Sequence, residues 1–126
     1  MKHLKKFKFF ESSHNLTEIE DILKDFTDSG HRVDISNHLF NDYDRLQVFI
    51  TFLDESGNQT SSNLSDYSES LGHLISYLES DEWNLSSSWM MVKGESGRIQ
   101  PTVFKLDLNN HTDEVKRIEL RFDKYK

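Results

Sequence analysis

Apolar residues recur along this chain with two different periods, and the changes of period mark out its elements. In "HLKKFKFFE", residues 3–11, Phe7 and Phe9 fall on one face and Phe10 on the other, the alternation of a strand. Leu16, Ile19, Ile22, Leu23 and Phe26 then recur at helical spacing. Thr17 with Glu20, or Asn15 with Glu18, supplies a capping signal for that helix, and Gly30 suits the left-handed residue just past its end. Two strands follow. "HRVDISNHL" turns Val33 and Ile35 inward. "RLQVFITFLD" places Leu46, Val48, Ile50 and Phe52 on one face and Phe49 and Leu53 on the other, the pattern of a central strand. "NDYD", residues 41–44, is the turn between them, and residues 55–63 read as a polar loop.

A second helix is expected from Ser65 or Asp66, with Glu69 completing a capping box and Tyr67, Leu71, Leu74, Ile75 and Leu78 forming its buried stripe. "SSSWMMVK", "IQPTVFKLDL" and "VKRIELRFDKY" read as three further strands, the first two joined by a turn at "GESG". Ile118, Leu120 and Phe122 share one face of the last. The order β-α-β-β-α-β-β-β predicts an α+β fold. Its antiparallel sheet carries both helices on one face, with a ferredoxin-like core and extra C-terminal strands. At 126 residues the chain is expected to be a single domain, 1–126.

Charge changes this picture more than composition does. The net charge of −7 is unevenly distributed: +4 over residues 1–10, −13 over 11–82 and +2 over 83–126. On the first helix, Glu18, Asp21, Asp25 and Asp28 line up away from the apolar stripe, where like charges three and four residues apart repel. On the second, Glu79, Asp81 and Glu82 stand where the helix dipole disfavours acid, and Trp83 follows directly. Acids held against local preference suggest a docking surface for a partner with a basic surface, with Trp83 as an aromatic anchor inside an acidic rim. The blander account is a solvated face that aids solubility.

Several chemistries are excluded or disfavoured. The absence of Cys removes disulfides, zinc–thiolate sites and thiol catalysis. His31, Asp34, His38, Asp42 and Asp44 are close in sequence, but four residues of strand separate Asp34 from His38 by about 13 Å. No nucleophile elbow, P-loop, Rossmann glycine pattern or metal-binding spacing occurs. No enzyme activity, metal or cofactor is therefore expected. No stretch approaches the ~20 apolar residues of a membrane span. No export signal stands at the start, so five Asn-x-Ser/Thr sequons are attributed to abundant Asn and Ser, and the chain reads as soluble and cytoplasmic (host cytoplasm if viral).

In size and charge alone the chain is similar to phage-encoded anti-restriction and anti-CRISPR proteins. That similarity implies a small acidic protein-interaction domain that inhibits or regulates nucleic-acid-handling machinery, such as a nuclease or polymerase complex, by presenting a phosphate-like surface. Two rivals stand beside it. One is a nucleic-acid-binding module built on the first and last strands, with Lys5, Lys6, Lys8, Lys116, Arg117 and Arg121. The acidic middle section argues against direct nucleic-acid binding. The other is a phage structural or assembly component.

Overall fold

The computed structural model describes residues 16–93, 99–103 and 114–126. The strand expected over 3–11, the "GESG" turn and residues 104–113 lie outside that set. Helix α1 takes in residues 16–22, followed by α2, Lys24–Asp28. Strands β1, Arg32–Leu39, and β2, Tyr43–Thr51, form a hairpin. A two-residue strand β3, Ser62–Asn63, and a 3-10 turn η1, Leu64–Tyr67, lead into helix α3, Ser68–Ser80. Strands β4, Asn84–Lys93, β5, Ile99–Val103, and β6, Glu114–Tyr125, complete the set.

The described strands form one antiparallel sheet in the order β1-β2-β6-β4-β5, with β3 pairing to β6. The fold is thus α+β. The last strand is not an addition at the sheet's end: β6 lies at the centre, pairing Val48 with Leu120 on one side and Ser88 with Leu120 on the other. Its sequence permits this because Ile118, Leu120 and Phe122 are buried on one face while the alternate residues carry charges that pair within the sheet.

One hydrophobic cluster forms the core. It takes Leu46, Val48 and Ile50 from β2 and Ile118, Leu120 and Phe122 from β6, as their alternation predicts. Ile19, Leu23 and Phe26 join it from the first helical segment and Leu71, Leu74, Ile75 and Leu78 from α3. Val33 and Ile35 pack against its margin. Each fully buried side chain of this size contributes about 1.5–3 kcal/mol.

The helices differ from expectation in detail. The first is interrupted at Leu23, where the Phe26 N–H turns back to the Leu23 carbonyl at 3.0 Å, a tighter, three-residue closure. The second is not started by Asp66 and Glu69. Asn63 accepts the Ser65 N–H on its side chain at 3.0 Å, so the cap belongs to η1, and α3 continues from that turn.

Both helical segments end in the same way. After α2, the Gly30 N–H bonds to the Thr27 carbonyl and the His31 N–H to the Phe26 carbonyl, with Gly30 at φ 86°. After α3, the Glu82 N–H bonds to the Glu79 carbonyl at 3.1 Å and the Trp83 N–H to the Leu78 carbonyl at 2.9 Å. These are Schellman motifs, which require one left-handed residue. Gly30 takes that position at the first end, as its sequence position suggested. At the second it is Glu82, at φ 68°, the one non-glycine residue with positive φ among the described residues.

Candidate functional site

The two helical segments lie side by side. The Ser70 hydroxyl of α3 donates to the Asp25 carboxylate of α2 at 3.0 Å, and Tyr67 stacks on Phe26 with ring centroids 4.4 Å apart. Nearer the other end, burial pushes the Tyr77 hydroxyl pKa up, and the charges of Glu18 and Asp81 add to the shift. Glu18 and Asp81, from opposite ends of the sequence array, therefore act on one hydroxyl. Glu18, Glu20, Asp21, Asp25 and Asp28 from the first segment, and Asp66, Glu69, Glu79, Asp81 and Glu82 from the second, make ten acids against the single base Lys24. All but the half-buried Asp81 are exposed.

The structure thus sets the two acidic helical segments next to each other, with interactions seen for Glu18, Asp25 and Asp81, and two readings of single residues need correction. Asp81 is paired: the Lys124 ammonium lies 3.6 Å from its carboxylate. Trp83 is not a surface anchor, because it is only 6% exposed and belongs to the core cluster. The Schellman turn accounts for this. It carries Trp83 back over Leu78, the apolar contact that commonly accompanies the motif, and Lys124 covers the indole with its ammonium 5.7 Å from the ring centroid.

The sheet face away from the core has a different character. Along β6, Arg117, Glu119, Arg121 and Asp123 alternate with the core residues. Asp123 is 5% exposed and is held by Arg45 of β2 through Nε at 2.9 Å and Nη2 at 3.4 Å. Burial works to raise the Asp123 carboxyl pKa. Hydrogen bonds from Arg45 and Ser86, and the charges of Arg45 and Arg121, outweigh it and hold the group below its ordinary value. Glu119 accepts from Gln47 at 3.2 Å and lies 3.7 Å from Arg121, while the Arg117 guanidinium stands 5.1 Å from the Phe49 ring centroid. Arg117 and Arg121, which the sequence offered for phosphate binding, are thus interleaved with acids, while Lys5, Lys6 and Lys8 lie outside the described residues.

A third feature was missed by sequence reasoning. Leu39, Phe40 and Tyr125 are 63%, 42% and 70% exposed, at the turn end of the β1–β2 hairpin. Phe40 stacks on Tyr43 at 4.8 Å, Tyr43 meets Tyr125 at 5.9 Å, and the Arg45 guanidinium stands 5.2 Å from the Tyr43 ring centroid. The available signal was "LF" directly before "NDYD": two large apolar residues at a turn, with no strand left to bury them.

His31, Asp34, His38, Asp42 and Asp44 do not converge. Asp34 and His38 sit four residues apart on β1, Arg32 holds Asp34 at 2.8 Å and Lys126 approaches Asp44 at 3.3 Å. Among the described residues no group of three or more His, Asp or Glu is placed to hold a metal ion, and no helix is long and apolar enough to cross a membrane. Comparison with known protein families, curated proteins and solved structures finds no match to this chain.

Proposed function

We propose that this chain is a small protein-interaction domain that uses its two-helix layer to bind a protein with a basic surface. The observation that carries this reading is the ratio of ten acids to one lysine on adjoining helices. Such a layer produces a negative field that attracts and orients a Lys- and Arg-lined partner. The placement of both helices on one face of the sheet belongs to the same proposal. It is supported by the single core cluster that their apolar residues share with alternate residues of β2 and β6. The ferredoxin-like relation does not enter, since the strand it requires lies outside the described residues.

The narrower form of the reading is inhibition of machinery that itself binds nucleic acid, with the carboxylates standing in for phosphates. Size and charge support it. The rival nucleic-acid module has less support, because Glu119 and Asp123 alternate with Arg117 and Arg121 on β6. The test is capture from host lysate at low and high salt, with wild type beside two variants. Glu18, Asp21, Asp25 and Asp28 changed together to Gln and Asn should abolish capture, and wild-type capture should weaken steeply with salt. Phe40→Ala with Tyr125→Ala probes the aromatic end of the hairpin. If that variant loses the partner and the helix variant keeps it, the acidic layer is not the binding surface.

A further inference from the structure

His31 follows the Schellman turn of α2 and precedes the first residue of β1. Its ring is committed at both nitrogens. Nδ1 accepts the Leu53 backbone N–H at 3.1 Å, and Nε2 lies 3.0 Å from the Tyr67 hydroxyl. Because Nδ1 accepts, the neutral ring carries its proton on Nε2 and donates it to Tyr67. The β1–β2 ladder ends with Arg32 opposite Thr51, so the imidazole takes the next donor of the β2 chain, where a strand carbonyl would otherwise stand. The ring also packs edge-on against Phe52 at 4.9 Å and Tyr67 at 5.7 Å. One side chain therefore joins three parts of the fold: the end of the first helical segment, the end of β2, and η1.

From Leu53 to Thr60 the chain is held mainly by short-range bonds, whereas beyond it Ser61 bonds to Glu114 and β3 pairs with β6. The Asp54 N–H reaches the Asn58 carbonyl at 2.7 Å, Gly57 returns to Asp54, Thr60 bonds to Phe52, and Leu53 bridges Gln59. Protonation of His31 places an N–H at Nδ1, facing the Leu53 N–H. Two donors then oppose each other, and the ring must turn away.

We propose that His31 is a proton-operated latch: neutral, it fastens the loop from Leu53 to Thr60 to the end of the first helical segment, and protonated, it releases that loop while the sheet, with β3 on β6, stays intact.

The charged groups around the ring do not oppose release. Arg32 and Asp34 of β1 pair with each other. Asp54 spends Oδ1 on the Ser56 and Asn58 N–H groups. Asp28 at the end of α2 and Asp66 in η1 are exposed. Tyr67 is the titratable group that touches the ring, and among the described residues no carboxylate bonds to it to hold a proton there. Burial pushes the ring's pKa below its ordinary 6.5. The unfastened ring thus takes up its proton at higher pH than the fastened one, and the latch weakens as pH falls.

Amide hydrogen exchange read by NMR on the full chain between pH 8 and pH 5 tests this, with the His31 ring resonances followed in the same samples. Protection of the Leu53 amide, corrected for the intrinsic rate, should fall by up to about tenfold per pH unit as pH drops below 6.5, levelling off once the fastened ring itself is protonated. The Val48 and Leu120 amides should keep theirs. His31→Asn sets an oxygen near the Nδ1 position without titrating and should flatten the pH dependence, whereas Tyr67→Phe should retain it. Constant Leu53 protection while the ring titrates would overturn the latch. So would an equal loss at Leu53 and at the core amides, or an unchanged pH dependence in His31→Asn. The wild-type profile alone decides if the Asn variant does not fold.

Discussion

Glu82→Gly should stabilise the protein, and the reason can be followed through the turn that ends α3. Glu82 stands at φ 68°, where the Cβ of an L-residue crowds its own carbonyl. Occupying that region costs roughly 1–2 kcal/mol, and Gly does not incur it. The greater freedom of Gly in the unfolded chain takes back about 0.5–1 kcal/mol. Removing an acid from a helix C-terminus adds about 0.3–1 kcal/mol. The net expectation is about 1–1.5 kcal/mol, or about 4–6 °C in Tm for a domain of this length. Urea denaturation at low and high salt separates the two contributions. Glu82→Gln keeps the strained Cβ and removes only the charge, so its smaller gain should fade as salt rises. The excess of Glu82→Gly over Glu82→Gln is torsional and should persist. The α2 terminus supplies the mirror image. No atom lies within 4 Å of where a Cβ on Gly30 would be, so Gly30→Ala loses about 1 kcal/mol through backbone conformation alone. If Glu82→Gly is no more stable than Glu82→Gln at high salt, the strain argument fails.

Other outcomes follow from the same structure. Arg45→Met should lower the urea midpoint at pH 7 more than the double change Arg45→Met with Asp123→Asn, because the single variant leaves Asp123 buried and charged without its partner. The folded Asp123 carboxyl titrates below its ordinary 3.8. Its contribution is thus present above about pH 4 and is lost as pH falls below that; an acid titration of Asp123→Asn should lack this part of the transition. Phe26→Ala, in the centre of the cluster with Tyr67 and Phe52, should cost about 3–5 kcal/mol by denaturation, and a loss under 1 kcal/mol would show that the helix end is not packed as described.

Local patterns in the sequence carried much of this fold. The alternation of Leu46, Val48 and Ile50, the stripe of Leu71, Leu74, Ile75 and Leu78, and the position of Gly30 all correspond to the structure. Each depends on neighbours a few residues away, which periodicity reports. The place of β6 does not. A strand apolar on one face and charged on the other reads like a sheet margin, and only pairing with Arg45 of a distant strand lets Asp123 sit buried in the centre. Trp83 was misread for a related reason. Its burial depends on a left-handed residue before it, and Glu gives no sign of taking that conformation. The acidic helix faces were legible as charge patterns, but the pairing of Asp81 with Lys124 joins positions that nothing in the linear sequence connects.

The central position of β6 also affects how the fold can be assembled during synthesis. Every other described strand precedes Glu114 in the chain. A nascent chain in which translation has reached only residue 113 has the β1–β2 and β4–β5 pairs available, but not the strand that joins them. The inner edges of both pairs then have unpaired backbone groups, which are prone to pairing with other chains. Closure of the sheet and of its shared core must wait for residues 114–125 to insert between two preformed edges, so folding is expected to be late, cooperative and governed by contacts remote in sequence.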